Sequence, residues 1–107
     1  MSETLQRIKA LTASGDWKVS NHAADEMEED DIFPTAVIQT VQSAIVVEDY
    51  PHFGKGPAVL VRQVDETGRY IHVVWGIPEK DHRPAVVITA YRPEPSRWSS
   101  DFLRRMR

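Results

Sequence analysis

Leu5, Ile8 and Leu11 recur at helical spacing, and Gly15 follows where a helix C-terminus favours a left-handed residue, so the pattern predicts a first helix. Trp17 and Val19 then cross in extended form to Ser20, a favourable N-cap. Ala23, Met27 and the acids around them read as a short second helix with a negative polar face. Pro34 suits the first turn of a third helix, where its missing N–H costs nothing, and Val37, Ile38, Val41 and Ala44 give that helix its apolar stripe.

From Ile45 the period changes. The stretches 45–50 (IVVEDY), 58–64 (AVLVRQV), 69–75 (RYIHVVW) and 85–91 (AVVITAY) are short, rich in β-branched and aromatic residues, and separated by Gly or Pro. Four strands with no helix between them imply an antiparallel meander. Trp98, Phe102 and Met106, spaced i, i+4, i+8, predict a short C-terminal helix. The expected architecture is α+β: three N-terminal helices packed on a four-stranded antiparallel meander, in one domain over residues 1–107. The segment Gly54–Pro57 matches no nucleotide-binding fingerprint and reads as the turn between the first two strands.

One hairpin yields a register. Gly68 sits where a three-residue loop needs a left-handed residue, so Asp65 pairs with Arg69. Counting outward sets Val64 opposite Tyr70, Arg62 opposite His72 and Leu60 opposite Val74, all on one face. Val61, Ile71, Val73 and Trp75 occupy the other, an apolar face that helices must cover. The first face joins Arg62, His72 and the Tyr70 phenol into a polar cluster, whose plainer reading is an exposed sheet surface.

Composition narrows the class. A 107-residue chain with 41% hydrophobic and 27% charged residues is ordinary for one globular core. With no cysteine, a disulfide framework, thiolate metal site or thiol nucleophile is excluded, and a cytoplasmic location is expected. Neither a signal sequence nor an apolar run near membrane-spanning length is present, so no membrane partner is expected. The net charge of −3 conceals an asymmetry: residues 1–50 carry ten acids against three bases, and residues 51–107 six against ten. The basic excess gathers at Arg92, Arg97, Arg104, Arg105 and Arg107, which suits phosphates or an acidic partner, unless it is simply a solvated surface.

Histidine is the side chain whose ordinary pKa suits proton transfer near neutrality. His52 and His82 fall in loops, whereas His22, in the first turn of helix two, and His72, mid-strand, are held by regular structure as a general acid or base must be. His22, Asp25 and Glu26 share a helical face, but such a trio on an acidic helix arises readily by chance, and neither metal nor cofactor is expected. Tyr91 shares a strand face with Thr89 and enters as an accessory donor.

In order and spacing, the segment 20–32 (SNHAADEMEEDDI), the strand at 56–61, the hairpin into RYIHVVW and the segment 86–98 (VVITAYRPEPSRW) resemble the domain-of-unknown-function 4258 family over nearly all the chain beyond helix one. That family is distantly similar to RelE and BrnT toxins and barnase-type nucleases. The resemblance implies helices against a meandering sheet and raises metal-independent endoribonuclease activity. His22, Ala23, Met27, Ile32, Thr89, Tyr91, Pro93 and Trp98 match the family pattern, whereas Glu26 and Asp30 stand where family members usually carry arginine. On the enzyme reading His22 and His72 exchange protons, Arg62 and Arg97 hold phosphate and Tyr91 orients RNA. The alternative is a non-catalytic interaction domain whose acidic second helix binds a basic protein. A cognate antitoxin is the partner that the toxin likeness implies.

Overall fold

The computed structural model describes residues 2–106, and local side-chain chemistry starts and stops its elements. Ser2 caps α1 (Glu3–Ala13) by accepting from the Leu5 N–H at 3.0 Å, and Gly15, at φ 80°, lets the chain leave it. The extended residues that follow form a strand, β1 (Trp17–Val19). Ser20 then accepts from the Ala23 N–H at 3.0 Å to start α2 (Asn21–Glu29). Pro34 opens α3 (Pro34–Thr40), which tightens to a 3-10 turn over Val41–Ser43, so its predicted apolar stripe ends on non-helical Ala44.

The four predicted strands are present as β2 (Ile45–Tyr50), β3 (Ala58–Val64), β4 (Tyr70–Gly76) and β5 (Ala85–Tyr91), paired antiparallel in succession. The sheet is nevertheless five-stranded and mixed, in the order β1-β5-β4-β3-β2, rather than a pure four-stranded meander. Trp17–Val19 lies parallel to β5, with Trp17 beside Ala85 and Val19 beside Val87. Three residues are too few for alternation to distinguish a strand from an extended connection, and the partner lies at the far end of the chain.

The hairpin has the anticipated register. Arg62 faces His72, Leu60 faces Val74 and Val64 faces Tyr70; the Asp65 N–H reaches the Arg69 carbonyl at 2.9 Å, and Gly68 sits at φ 83°. Val61, Ile71, Val73 and Trp75 are fully buried on the face covered by Leu5, Ile8, Met27 and Val37. Gln63 also points into this core. Its Nε2 donates to the Val37 carbonyl (2.8 Å) and Thr40 Oγ1 (2.9 Å), while its Oε1 accepts from Trp75 Nε1 at 2.9 Å.

The predicted C-terminal helix is absent. Trp98 and Arg105 form an isolated bridge, and the intervening chain is a tight loop with Phe102 at φ 59°. Asp101 Oδ1 accepts from Ser99 Oγ (2.6 Å) and from the Leu103 N–H (3.0 Å), and Ser99 Oγ in turn accepts from the Arg104 N–H (3.1 Å). Serine and aspartate thus offer the backbone local partners that outcompete a helical turn.

Replacing Gln63 with leucine leaves the Trp75 indole N–H and the Val37 carbonyl without their partner. The expected cost is about 2–4 kcal/mol by urea unfolding, and a loss under about 0.5 kcal/mol, ordinary for a surface change, would show that the network does not tie α3 to the sheet.

Candidate active site beneath the C-terminal segment

Strand β1 ends beside Val87, so the outer edge of β5 beyond it would be left unpaired. Helix α2 covers that edge with side chains. Ser20 Oγ donates to the Ile88 carbonyl at 3.0 Å, Glu26 Oε1 accepts from the Ala90 N–H (3.2 Å) and the Thr89 hydroxyl, and Asp30 Oδ2 accepts from the Arg92 N–H (2.8 Å). Glu26 and Asp30 therefore answer backbone donors. His22 is exposed on the rim, with Nε2 3.3 Å from Glu26 Oε1.

Arg92 follows β5 directly and ties three parts of the molecule together. Its Nη2 lies 2.8 Å from Asp65 Oδ2 in a nearly buried pair, and its guanidinium also reaches the Asp30 and Asp31 carbonyls at 3.3 Å. Burial opposes ionisation of Asp65, but bonds from the Thr67 hydroxyl, the Arg69 and Thr67 N–H groups and Arg92 outweigh it and hold its pKa down at about 2.

His72 is fully buried. Its Nε2 is 2.8 Å from the Phe102 carbonyl, which can only accept, so this nitrogen carries the proton. In the neutral ring Nδ1 is then the acceptor, and the Tyr91 phenol donates to it at 3.3 Å. Trp98 packs edge-on, its ring centroid 4.4 Å from that of the imidazole. Burial pushes the His72 pKa below its ordinary 6.5; the bond to Phe102 works against this, and nearby Arg105 and Arg62 reinforce it. Burial likewise raises the Tyr91 pKa, with Arg105 partly opposing. Arg62 donates to the Asp101 carbonyl at 2.8 Å and lies over the Tyr70 ring at 4.4 Å, helping to clamp the C-terminal segment down.

Above Tyr91 opens a cavity of about 490 Å³ walled by Tyr91, Arg92, Arg97, Trp98 and Arg105, with the acids Asp30 and Glu94 at its margin. Tyr91 and Arg97 are thus brought together. His72 lies behind Tyr91 and reaches the cavity only through the phenol, while His22 and Arg62 do not line it. Arg105 is held by a two-pronged bond to Glu48 (2.8 and 3.0 Å), and Arg97 by an open pair with Glu94 at 3.2 Å. Arg107 lies outside the described residues. A larger cavity of about 710 Å³, lined by Phe53, Gly56, Ile77, Val86 and Ile88, is apolar, with Lys55 as its one charged side chain. Among the described residues no three His, Cys, Asp or Glu side chains gather to hold a metal ion, so the His22, Asp25 and Glu26 trio does not form such a group.

Arg92, Trp98, Arg105 and Asp65 escaped the sequence-level choice of site residues. Asp65 carried a local signal, a side-chain acceptor just before Thr67 and Gly68. Arg105 was marked only as one of the clustered C-terminal bases, because its place depends on the loop that replaces the helix.

A family model described as Domain of unknown function (DUF4258) matches residues 19–92, more than half of the chain. The chain belongs to that family. Neither curated proteins nor solved structures yield a match. The DUF4258 match ends on Arg92, so the segment folded over His72 lies beyond it. No described helix is long and apolar enough to cross a membrane.

His72 and Asp65, both with lowered pKa, give a signed pH dependence. His72 has a lowered folded pKa, so the unfolded chain binds its proton more readily and stability falls as pH drops below 6.5. Asp65 is also lowered, so its contribution is present above 3.8 and is lost as pH falls towards about 2. Urea unfolding between pH 7.5 and 3 should show both declines, and Asp65→Asn should weaken the fold near neutrality and flatten the more acidic one. An unchanged acidic limb in that variant would contradict the assignment.

Proposed function

We propose that this DUF4258 domain binds RNA in the Tyr91 cavity and cleaves it without a metal, using Tyr91 and His72 as a proton relay. The observation that carries the reading is the phenol–imidazole pair at the floor of a cavity lined by three arginines. The substrate 2′-hydroxyl gives its proton to the Tyr91 oxygen while the phenol proton passes to Nδ1 of His72, whose Nε2–H stays on the Phe102 carbonyl. The 2′-oxygen attacks phosphorus, the bond to the 5′-oxygen breaks, and an acid protonates that leaving oxygen. The products are a 2′,3′-cyclic phosphate and a 5′-hydroxyl. Tyr91 touches the substrate and His72 acts through it. His22 lies on the exposed α2 rim away from the cavity lining, so water supplies the leaving-group proton.

The cation inventory supports one mobile phosphate ligand rather than three. Arg92 is committed to buried Asp65, and Arg105 to Glu48 in a bidentate pair. The Arg97–Glu94 pair is mostly exposed, with side chains 78% and 67% accessible, and pairs of that kind contribute about 0–1 kcal/mol. The singly charged phosphodiester of RNA can therefore displace Glu94 from Arg97. Arg62, engaged with Asp101 and Tyr70, serves by holding the covering segment.

The second reading is a non-catalytic domain whose acidic helix binds a basic protein, such as a cognate antitoxin. It retains Asp25, Glu28 and Glu29, which flank a shallow surface cavity, but Glu26 and Asp30 are engaged with β5. A cytoplasmic site of action and a RelE-like ancestry belong to the same proposal.

Incubation with a mixed RNA pool tests the enzyme reading. Tyr91→Phe should reduce cleavage by roughly 100- to 10,000-fold, the usual span of general acid–base catalysis. His22→Ala should cleave at close to the parental rate, and chelator should have little effect. The rate should drop on the acid side as His72 becomes protonated, below pH 6.5. Full activity in folded Tyr91→Phe would sink the relay, and an inactive parent would leave the interaction reading as the better one.

A further inference from the structure

A second cavity, of about 510 Å³, lies next to the first, and Arg92 and Glu94 line both. The two are neighbours across one ridge of backbone at the end of β5. Their chemistry differs. The first is walled by guanidinium groups and a phenol; the second is bounded by Tyr70, Phe102, Pro93 and Pro95, with Arg69 at its mouth. Tyr70 and Phe102 meet edge to face, with ring centroids 5.6 Å apart, and the two prolines fix the opposite wall. Arg69 is exposed at the hairpin tip, where its backbone N–H is held by Asp65 at 3.0 Å.

A cationic cavity beside an aromatic one is the arrangement that single-stranded nucleic acid requires: the backbone follows charge while an unstacked base rests against rings. Resting on the proposed RNA reading, we infer that the second cavity is a base subsite. The domain takes single-stranded RNA of at least two nucleotides, running across the Arg92 ridge from Arg97 to Arg69. A paired base cannot enter it, because in a duplex the base faces are already stacked. The C-terminal segment supplies one wall of each cavity, Trp98 to the first and Phe102 to the second. It therefore shapes the groove as well as covering His72.

Fluorescence anisotropy with non-cleavable 2′-O-methyl tetranucleotides, competed by uridine 3′-phosphate and by a 12-base-pair RNA duplex, tests the subsite. The tetranucleotide should bind at least about tenfold more tightly than the mononucleotide, and the duplex should compete poorly. Phe102→Ala should remove most of that advantage. Arg69→Ala, a surface change that spares the Asp65 bond because that bond uses the Arg69 backbone, provides the second variant and should reduce tetranucleotide affinity alone. Equal affinity for the tetranucleotide and mononucleotide, abolished by Arg97→Ala, would overturn the second subsite and keep the first. Duplex binding as tight as single strand would overturn the single-strand class. Absence of binding by every probe would overturn the RNA reading together with this inference.

Discussion

The Asp65 carboxylate is the interaction on which the site depends. One of its oxygens closes the β3–β4 hairpin through the Thr67 and Arg69 N–H groups and the Thr67 hydroxyl; the other holds Arg92 at 2.8 Å. Arg92 in turn binds the carbonyls at the end of α2. A hairpin, a helix end and the last strand thus meet at one buried ion pair. Removing a single partner from such a pair strands a charge, which costs more than the pair itself contributes. Arg92 also lines both cavities, so the hairpin's closure and the shape of the candidate groove are one constraint.

The outer sheet face shows how burial alters what a histidine can do. Covered by Trp98 and Phe102, His72 loses solvent and with it much of its tendency to hold a second proton. Its remaining lone pair is directed at one phenol. Buried and bonded at both ring nitrogens, His72 can pass a proton only along the bond to Tyr91. Selectivity of that kind comes from the covering segment, whose own loop is maintained by Ser99, Asp101 and Arg62.

The legible parts of the sequence were those set by neighbours in the chain. Gly68 alone determined the register that puts Arg62 beside His72, and Ser20 and Pro34 marked helix starts correctly. Trp17–Val19 was read as a crossing because its identity as a strand is conferred by Ala85–Val87, far along the chain. The spacing of Trp98, Phe102 and Met106 was helical, but Ser99 and Asp101 between them carried the stronger local preference. Glu26 and Asp30 read as part of an acidic helix face open to a basic partner, because composition cannot reveal an unpaired strand edge beneath them. Of the candidate residues, Tyr91 and Arg97 share a cavity, and His72 joins them at one remove.

The parallel pairing of β1 with β5 has a consequence for how the chain is made. Three hairpin-linked strands can assemble from contacts close in sequence, but β1 has no partner until Ala85–Val87 exists, and α2 has no strand edge to cover until Ile88–Arg92 follows. During synthesis the N-terminal third must therefore wait, its apolar side chains without their sheet, until most of the protein has been released. Closure of that long loop is an entropic toll levied late, and it makes the final strand the keystone of folding as well as the floor of the groove.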